Sequence, residues 1–332
     1  MENTKTNRSS DVLVVEISGK RAGTSKQRPT ENAIIDYDHL IISNNSEGYE
    51  TDWEIVNVPD DYKEWYVNNI KCSENAWYAP MNRSYAIKYA REHGYKYLVQ
   101  LDDNICRLEI ATMVDVGKGI IKRYRHVNLN LKNPTMFNDF IEMQRVVLEN
   151  TNAAMVGFGM ASVGVPDNSF LTERYVYSFF MLNLEICPDI FQGDFEDDIE
   201  YRLKCAQMGL PVIQIGALKY GKTGQNKNKD LSGCRAEYAK AGIKRGEHMS
   251  RLYGDIYSAK MSKKGHSIHC HADEEAINFK HIIKPIKVGV IVKDMQPIKD
   301  KLKQILETYA LNRDDQSIYR ERKKKVHKVN KE

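Results

Sequence analysis

The sequence predicts an α/β protein with a mostly parallel central sheet, and three observations carry that prediction. Two helical stripes, each closed by a glycine, run straight into short buried-strand patterns, at Asn82 to Leu101 and at Ile199 to Ile215. Acidic residues stand at the end of one such strand (Asp102-Asp103-Asn104) and at the start of one such helix (Glu196-Asp197-Asp198). Open α/β sheets gather their ligands at the carboxyl ends of parallel strands, so acidic groups there mark a candidate site. With 332 residues, 42% hydrophobic and 28% charged, the chain can bury a sizeable core. That composition excludes general disorder, and no apolar run of about 18 residues offers a membrane span.

Taken in order, Val12 to Ile17 (VLVVEI) is apolar and β-branched enough for a first strand. The loop SGKRAGTSKQRP follows it. His39 to Ser43 reads as a second strand, ended by the turn signal Asn44-Asn45, and Trp53 to Pro59 as a third. In Asn82 to His93, Tyr85, Ala86, Tyr89 and Ala90 form one helical stripe, and Gly94 suits the C′ position after it. Tyr97 to Leu101 then reads as a buried strand. Asn138 to Leu148 is a helix by pattern, and Ala153 to Ala161 and Tyr175 to Leu184 are strands. The helix bearing Ile199, Leu203 and Ala206 closes at Gly209, and Leu210 to Ile215 continues as a strand.

The remainder is more polar. Lys219 to Gly233 is rich in Gly, Lys and Asn and reads as a mobile loop. A strand at Ile286 to Val292 and an amphipathic helix with Ile298, Leu302, Ile305, Leu306 and Tyr309 follow, and the tail from Gln316 carries seven Lys/Arg and two Glu. The organisation this gives is a catalytic domain over 1–260, a strand/helix extension packing on it over 261–315, and a basic tail over 316–332. Six cysteines without a CxxC pair, and a polar N-terminus without an apolar leader, predict an intracellular protein with reduced thiols.

Two carboxylates and an amide at a strand end supply hard oxygen ligands of the kind Mg²⁺ or Mn²⁺ takes, usually alongside substrate phosphates. The plain alternative for Asp102-Asp103-Asn104 is an Asx-turn. Acidic residues opening a helix are favoured by its dipole, which is the plain reading of Glu196-Asp197-Asp198. The functional reading makes one of them a general base. The two triplets together say more than either alone.

AREHGYKYLVQLDDNI (Ala90 to Ile105) and FEDDIEYRLKCAQMGLPVIQI (Phe195 to Ile215), with Asn82-Arg83 before them, resemble the TET-associated glycosyltransferases. That family occurs largely in bacteriophage genomes beside enzymes that oxidise or hydroxymethylate pyrimidines. The resemblance spans roughly residues 10 to 240 and rests on the DDNI stretch and the EDDIEYRL helix. It implies a GT-A glycosyltransferase-like, Rossmann-type sandwich with helices on both faces of the sheet. It further implies a UDP-sugar donor and a divalent metal, Mn²⁺ or Mg²⁺, held by Asp102, Asn104 and Asp103, with His269 as a further ligand. Asn104 departs from the usual second carboxylate of this motif. Asp198 becomes the base of an inverting reaction and Asp197 its neighbour. Lys20, Arg21 and Arg83, together with Asp102 and Asp103, would meet the nucleotide; the alternative for both arginines is a solvated surface position.

His266, His269, Cys270 and His271 cluster without a second half of a zinc site. Lys222, Lys227 and Lys229 of the Lys219 to Gly233 loop would meet phosphates, against a default of a solvated loop. Trp53, Trp65, Trp77 and Tyr78 could stack on a sugar or base, with Trp77 favoured, although aromatics are more often core. Net charge is only +4, from 49 basic and 45 acidic residues, but the signs are segregated. Basic residues gather at Lys118 to Arg125 and Arg320 to Lys331, where a polyanion could lie. Three functions follow: an inverting transferase acting on a 5-hydroxymethylpyrimidine, foremost 5-hydroxymethylcytosine, in DNA and so protecting phage DNA from restriction in the host cytoplasm; a GT-A enzyme with a carbohydrate or protein acceptor; and a nucleic-acid-binding protein with a degenerate transferase fold.

Overall fold

The computed structural model describes residues 11–23, 26–70, 78–115, 120–128, 135–161, 171–192, 197–223, 257–261, 279–283 and 287–309. Its centre is one large sheet. Strands β1 (Val12–Ser18), β2 (Asp38–Ser43), β3 (Ile55–Asn57) and β4 (Tyr97–Asp102) pair in parallel, in the spatial order β3-β2-β1-β4. Next comes β9 (Phe179–Asn183), antiparallel to both β4 and β7 (Met155–Met160). Beside β7 runs β10 (Val212–Lys222), again parallel. Six of these seven strands therefore share one direction, with β9 reversed. Beyond β10 the long hairpin β5 (Ile105–Asp115) and β6 (Ile120–Asn128) extends the sheet, and the short β8 (Leu171–Glu173) pairs with the first half of β10.

Every residue of β1 is buried, as expected for a parallel strand covered on both faces. Its side chains alternate between two cores. Val12 and Val14 join Phe137, Phe140 and Ile141 of α3 (Met136–Glu149) and Ile298, Ile305 and Tyr309 of α5 (Gln296–Tyr309). Leu13, Val15 and Ile17 join Tyr62 and Tyr66 of α1 (Asp60–Ile70), Met81, Ala86 and Ala90 of α2 (Tyr78–Glu92) and Tyr201 and Cys205 of α4 (Asp197–Gln207). This is the mostly parallel sandwich, with helices on both faces, that the sequence predicts. A separate two-stranded sheet pairs β11 (Tyr257–Met261) with β12 (Phe279–Ile283). Among the described residues no helix is long and apolar enough to cross a membrane.

Both predicted glycine stops occur. Gly94 (φ 71°) and Gly209 (φ 73°) adopt the left-handed conformation that L side chains resist, and Tyr95 N–H and Leu210 N–H return to Ala90 and Cys205 carbonyls at 2.9 Å.

Three sequence assignments are corrected. The segment from Lys219 to Lys222 is the end of β10, paired by β5 throughout and by β7 at Lys219 and Tyr220, so ladder hydrogen bonds override its loop-like composition. The Ile286 to Val292 run forms no strand over 287–292 beyond a single bridge from Val292 to Thr151. There the Glu173 carboxylate accepts from the Val288 and Gly289 N–H groups, and Gly289 turns to φ 103°. Tyr175 to Tyr177 lies outside β9, and Ser178, at φ 52°, sets where that strand begins.

Candidate active site

The carboxyl ends of β1 and β4 lie side by side, with Ile17 opposite Asp102. Because β9 runs backwards, its start lies at the same edge, and Asp102 N–H donates to the Ser178 carbonyl at 2.9 Å. The turn after β4 is held by Thr30, fully buried in the single 3₁₀ turn Pro29–Asn32. Its hydroxyl donates to the Asp102 carbonyl at 2.6 Å and accepts from Ile105 N–H at 2.9 Å. From the other side Thr223 N–H donates to the Asn104 carbonyl at 2.9 Å. The Asp-Asp-Asn turn is thus clamped through its backbone, which leaves its side chains for other work.

Those side chains are met by cations. Arg83, on α2, donates from Nη2 to Asp102 Oδ1 at 2.5 Å, from Nε to Asp197 Oδ2 at 2.9 Å and from Nη1 to Gln100 Oε1 at 3.2 Å. Lys222, at the end of β10, donates to Asp102 Oδ2 and, at 2.9 Å, to Ser178 Oγ. Burial by itself would push the Asp102 carboxyl up, but Lys222 and Arg83 outweigh it and hold the group well below the usual carboxylate range. Burial likewise works against the Arg83 charge, but Asp102, Asp197 and Asp198 keep the guanidinium firmly protonated. Asp103 Oδ2 accepts from Ser18 Oγ at 2.8 Å and pairs with Arg21 Nε at 3.1 Å. Burial raises the Asp103 carboxyl, with Arg21 opposing.

The structure thus brings Arg21, Arg83, Asp102, Asp103 and Asp197 into one charged network, and Asp198 adjoins it at the head of α4. Asp198 Oδ1 accepts from Ile199 N–H at 2.8 Å. Lys20, at φ 57°, holds its ammonium 4.2 Å from the Tyr78 ring centroid and donates to the Tyr78 hydroxyl at 3.0 Å. Arg83 is not the surface arginine of the alternative reading, since its side chain is only 6% exposed. Lys222 belongs to this strand-borne network rather than to a mobile loop. Trp53 packs at the core margin, its ring 4.6 Å from His39. His269, the rest of the histidine cluster, Glu196, Lys227, Lys229, Trp77 and the Arg320 to Lys331 tail lie outside the described residues. Of Lys118 to Arg125, residues 120–125 fall in β6.

Ser178 escaped the sequence reading, and so did the backbone conformation of Lys20. Ser178 and Lys20 are the non-glycine residues with positive φ among those described, and both sit at this edge. Such conformations cost of order 1–3 kcal/mol and persist where surrounding structure imposes them, often at functional sites. Nothing in a lone Ser or Lys announces this.

The divalent metal implied by the motif fits these residues poorly. Both Asp102 oxygens are already bonded to cationic side chains, and Asp103 Oδ2 is shared by Arg21 and Ser18. Asn104 Oδ1 is buried without a hydrogen-bond partner, but one neutral oxygen does not hold a divalent ion. Among the described residues no group of three or more His, Cys, Asp or Glu is arranged for a metal.

Acids from a strand end and a helix start, joined at the carboxyl edge of a mostly parallel sheet, define an α/β protein whose chemistry belongs at that edge. Residues 25–229 match the family described as TET-Associated Glycosyltransferase, and the chain belongs to that family. It is a glycosyltransferase. Among solved structures it is similar to one described as a nucleotide-diphospho-sugar transferase from Desulfovibrio desulfuricans G20. That likeness has 12% identity, covers 74% of this chain and 98% of that one, and has a TM-score of 0.32. None of the curated proteins matches the sequence.

Proposed function

We propose that the chain transfers a sugar, with inversion, from a UDP-sugar to the hydroxyl of a 5-hydroxymethylpyrimidine in DNA, foremost 5-hydroxymethylcytosine. The observation that carries this reading is the joining of Asp102 and Asp197 through Arg83, which sets a phosphate-side group and a base-side group at one edge. Asp198 is the general base: it takes the proton of the acceptor hydroxyl as that oxygen attacks the anomeric carbon. Its neighbour Asp197 is engaged by Arg83, which orients the head of α4. Lys20 and Arg21, beyond the end of β1, meet the nucleotide. The DNA acceptor is supported by the family's association with TET-type pyrimidine oxidation and by the basic segments at Lys118 to Arg125 and Arg320 to Lys331. Residues 1–260 form the transferase unit, 261–315 an extension docked through α5, and 316–332 a basic tail. In a phage-infected cell the modified base would shield DNA from restriction.

The test incubates the protein with a panel of UDP-sugars and DNA containing 5-hydroxymethylcytosine or 5-hydroxymethyluracil, with and without Mn²⁺. Nucleoside mass spectrometry then looks for a hexose or pentose adduct. An adduct on the DNA supports the reading. Donor turnover onto glycans or proteins with no DNA adduct moves the acceptor assignment to the second class.

A further inference from the structure

We infer that the Lys222 ammonium, held between Asp102 and Ser178, receives the donor's diphosphate in the place of a divalent cation, so that donor binding and diphosphate departure need no metal. This rests on the nucleotide-sugar reading above and deepens it. Three observations point to Lys222 rather than to a merely structural ion pair. Its side chain is 22% exposed, so the ammonium is reachable from solvent, whereas the Arg83 guanidinium beside it is enclosed at 6%. An ammonium has three donors, and the bonds to Asp102 and Ser178 use two of them. Its position is also enforced: Ser178 presents its hydroxyl from a left-handed backbone at φ 52°. The preceding Gly221 allows the strand to lie under Arg107, where an added Cβ would come within 2.5 Å of the Arg107 guanidinium carbon.

The charge arithmetic points the same way. A metal at the Asp-Asp-Asn turn would sit among Arg21, Arg83 and Lys222, each already paired to one of its carboxylates, and would be repelled by all three. With the cations in place, the turn presents positive charge that is already neutralising Asp102 and can extend to an incoming diphosphate. In the transfer step the acceptor oxygen forms its bond to the anomeric carbon as the bond from that carbon to the diphosphate oxygen breaks. The electron pair of the broken bond stays on the diphosphate, whose charge Lys222 offsets while remaining protonated. The acceptor proton goes to Asp198.

The experiment is calorimetric titration of UDP, with GDP, CDP and dTDP in parallel, into the full chain in EDTA and in Mn²⁺. The expected result is a UDP dissociation constant in EDTA within about threefold of that in Mn²⁺, and weakened roughly tenfold or more in Lys222→Met. Lys222→Arg, which keeps the charge, should bind more tightly than Lys222→Met, and this pair decides the matter should the methionine variant melt early. Binding that appears only with Mn²⁺, or a Lys222→Met variant that binds as the wild type does, overturns the inference and leaves the donor reading standing. No nucleotide bound in either condition overturns both.

Discussion

Arg83 Nε donates to Asp197 Oδ2 at 2.9 Å across 114 positions of sequence, and this bond ties the start of α4 to the middle of α2. The same guanidinium reaches Asp102, so one buried side chain fixes the relative placement of both acidic motifs. Arg83→Met would strip Asp197 of this partner and leave Lys222 as the cation against Asp102. Breaking a buried ion pair from one side costs about 3–5 kcal/mol, and the partial exposure of both carboxylates places the cost near the lower figure. Urea unfolding should show a clearly lowered midpoint; an unchanged midpoint would mean that the bridge holds nothing.

Removing the base should separate chemistry from binding. Asp198→Asn keeps the shape of the side chain and its hydrogen bond to Ile199 N–H but cannot take a proton. Transfer should fall by roughly 10²–10⁴, the usual worth of a general base, while UDP affinity stays within a few fold. Asp197→Asn keeps a group for Arg83 to donate to, and its rate should fall much less. Equal losses in the two variants would dissolve the distinction between base and neighbour.

How far this site could be read from sequence depended on the range of the interaction. Gly94, Gly209 and the buried run before Asp102 are local signals, since chain direction and cap geometry follow from neighbouring residues. The two acidic triplets were visible for the same reason. Arg83 was singled out only through the family resemblance, and its burial as the tie between the two triplets was not legible, because a basic residue on a helix gives no local sign that partners far along the chain will bury it. Lys222 was read as a phosphate contact but placed in a loop rather than a strand. Lys-Tyr-Gly-Lys resembles a loop until β5 and β7 offer their edges, and only then do Leu218 and Tyr220 turn inward while Lys222 reaches Asp102. The β5–β6 hairpin went unread although Gly117 and Gly119 stand between its strands, because the basic residues from Lys118 to Arg125 read as a charged patch rather than as a strand.

Thr30 should matter to activity out of proportion to its distance from the chemistry. Its hydroxyl satisfies both the Asp102 carbonyl and Ile105 N–H in a place with no exposure. Thr30→Val preserves volume and orphans both groups, at a cost of about 1–3 kcal/mol for a buried unsatisfied polar group. The turn carrying Asp102, Asp103 and Asn104 would then be free to shift. We expect a lower melting temperature together with a raised UDP dissociation constant. A lower melting temperature with unchanged UDP binding would show that Thr30 supports the fold and not the site.

Stability should fall as pH rises through neutrality, because of a carboxylate in the core behind the site. Glu16, on β1, is fully buried and accepts from Arg28 Nε at 2.7 Å, while Arg28 is itself buried and lies 4.9 Å from the Tyr49 ring centroid. Burial pushes the Glu16 carboxyl up from 4.5 to about 8, with Arg28 pulling it down and Asp103 and Glu31 pushing it further up. The folded chain therefore holds this proton more tightly than the unfolded chain does. Its contribution is complete below pH 4.5 and is lost progressively as pH climbs toward about 8. Glu16→Gln retains a group that can accept from Arg28 but cannot ionise, so it should flatten the decline. Guanidinium unfolding at acidic, neutral and mildly alkaline pH should show wild-type stability falling by up to about 5 kcal/mol across that window, and the glutamine variant falling by much less. A decline of equal size in both proteins would assign the proton to another group and leave Glu16 ionised at neutral pH, paired with Arg28 throughout.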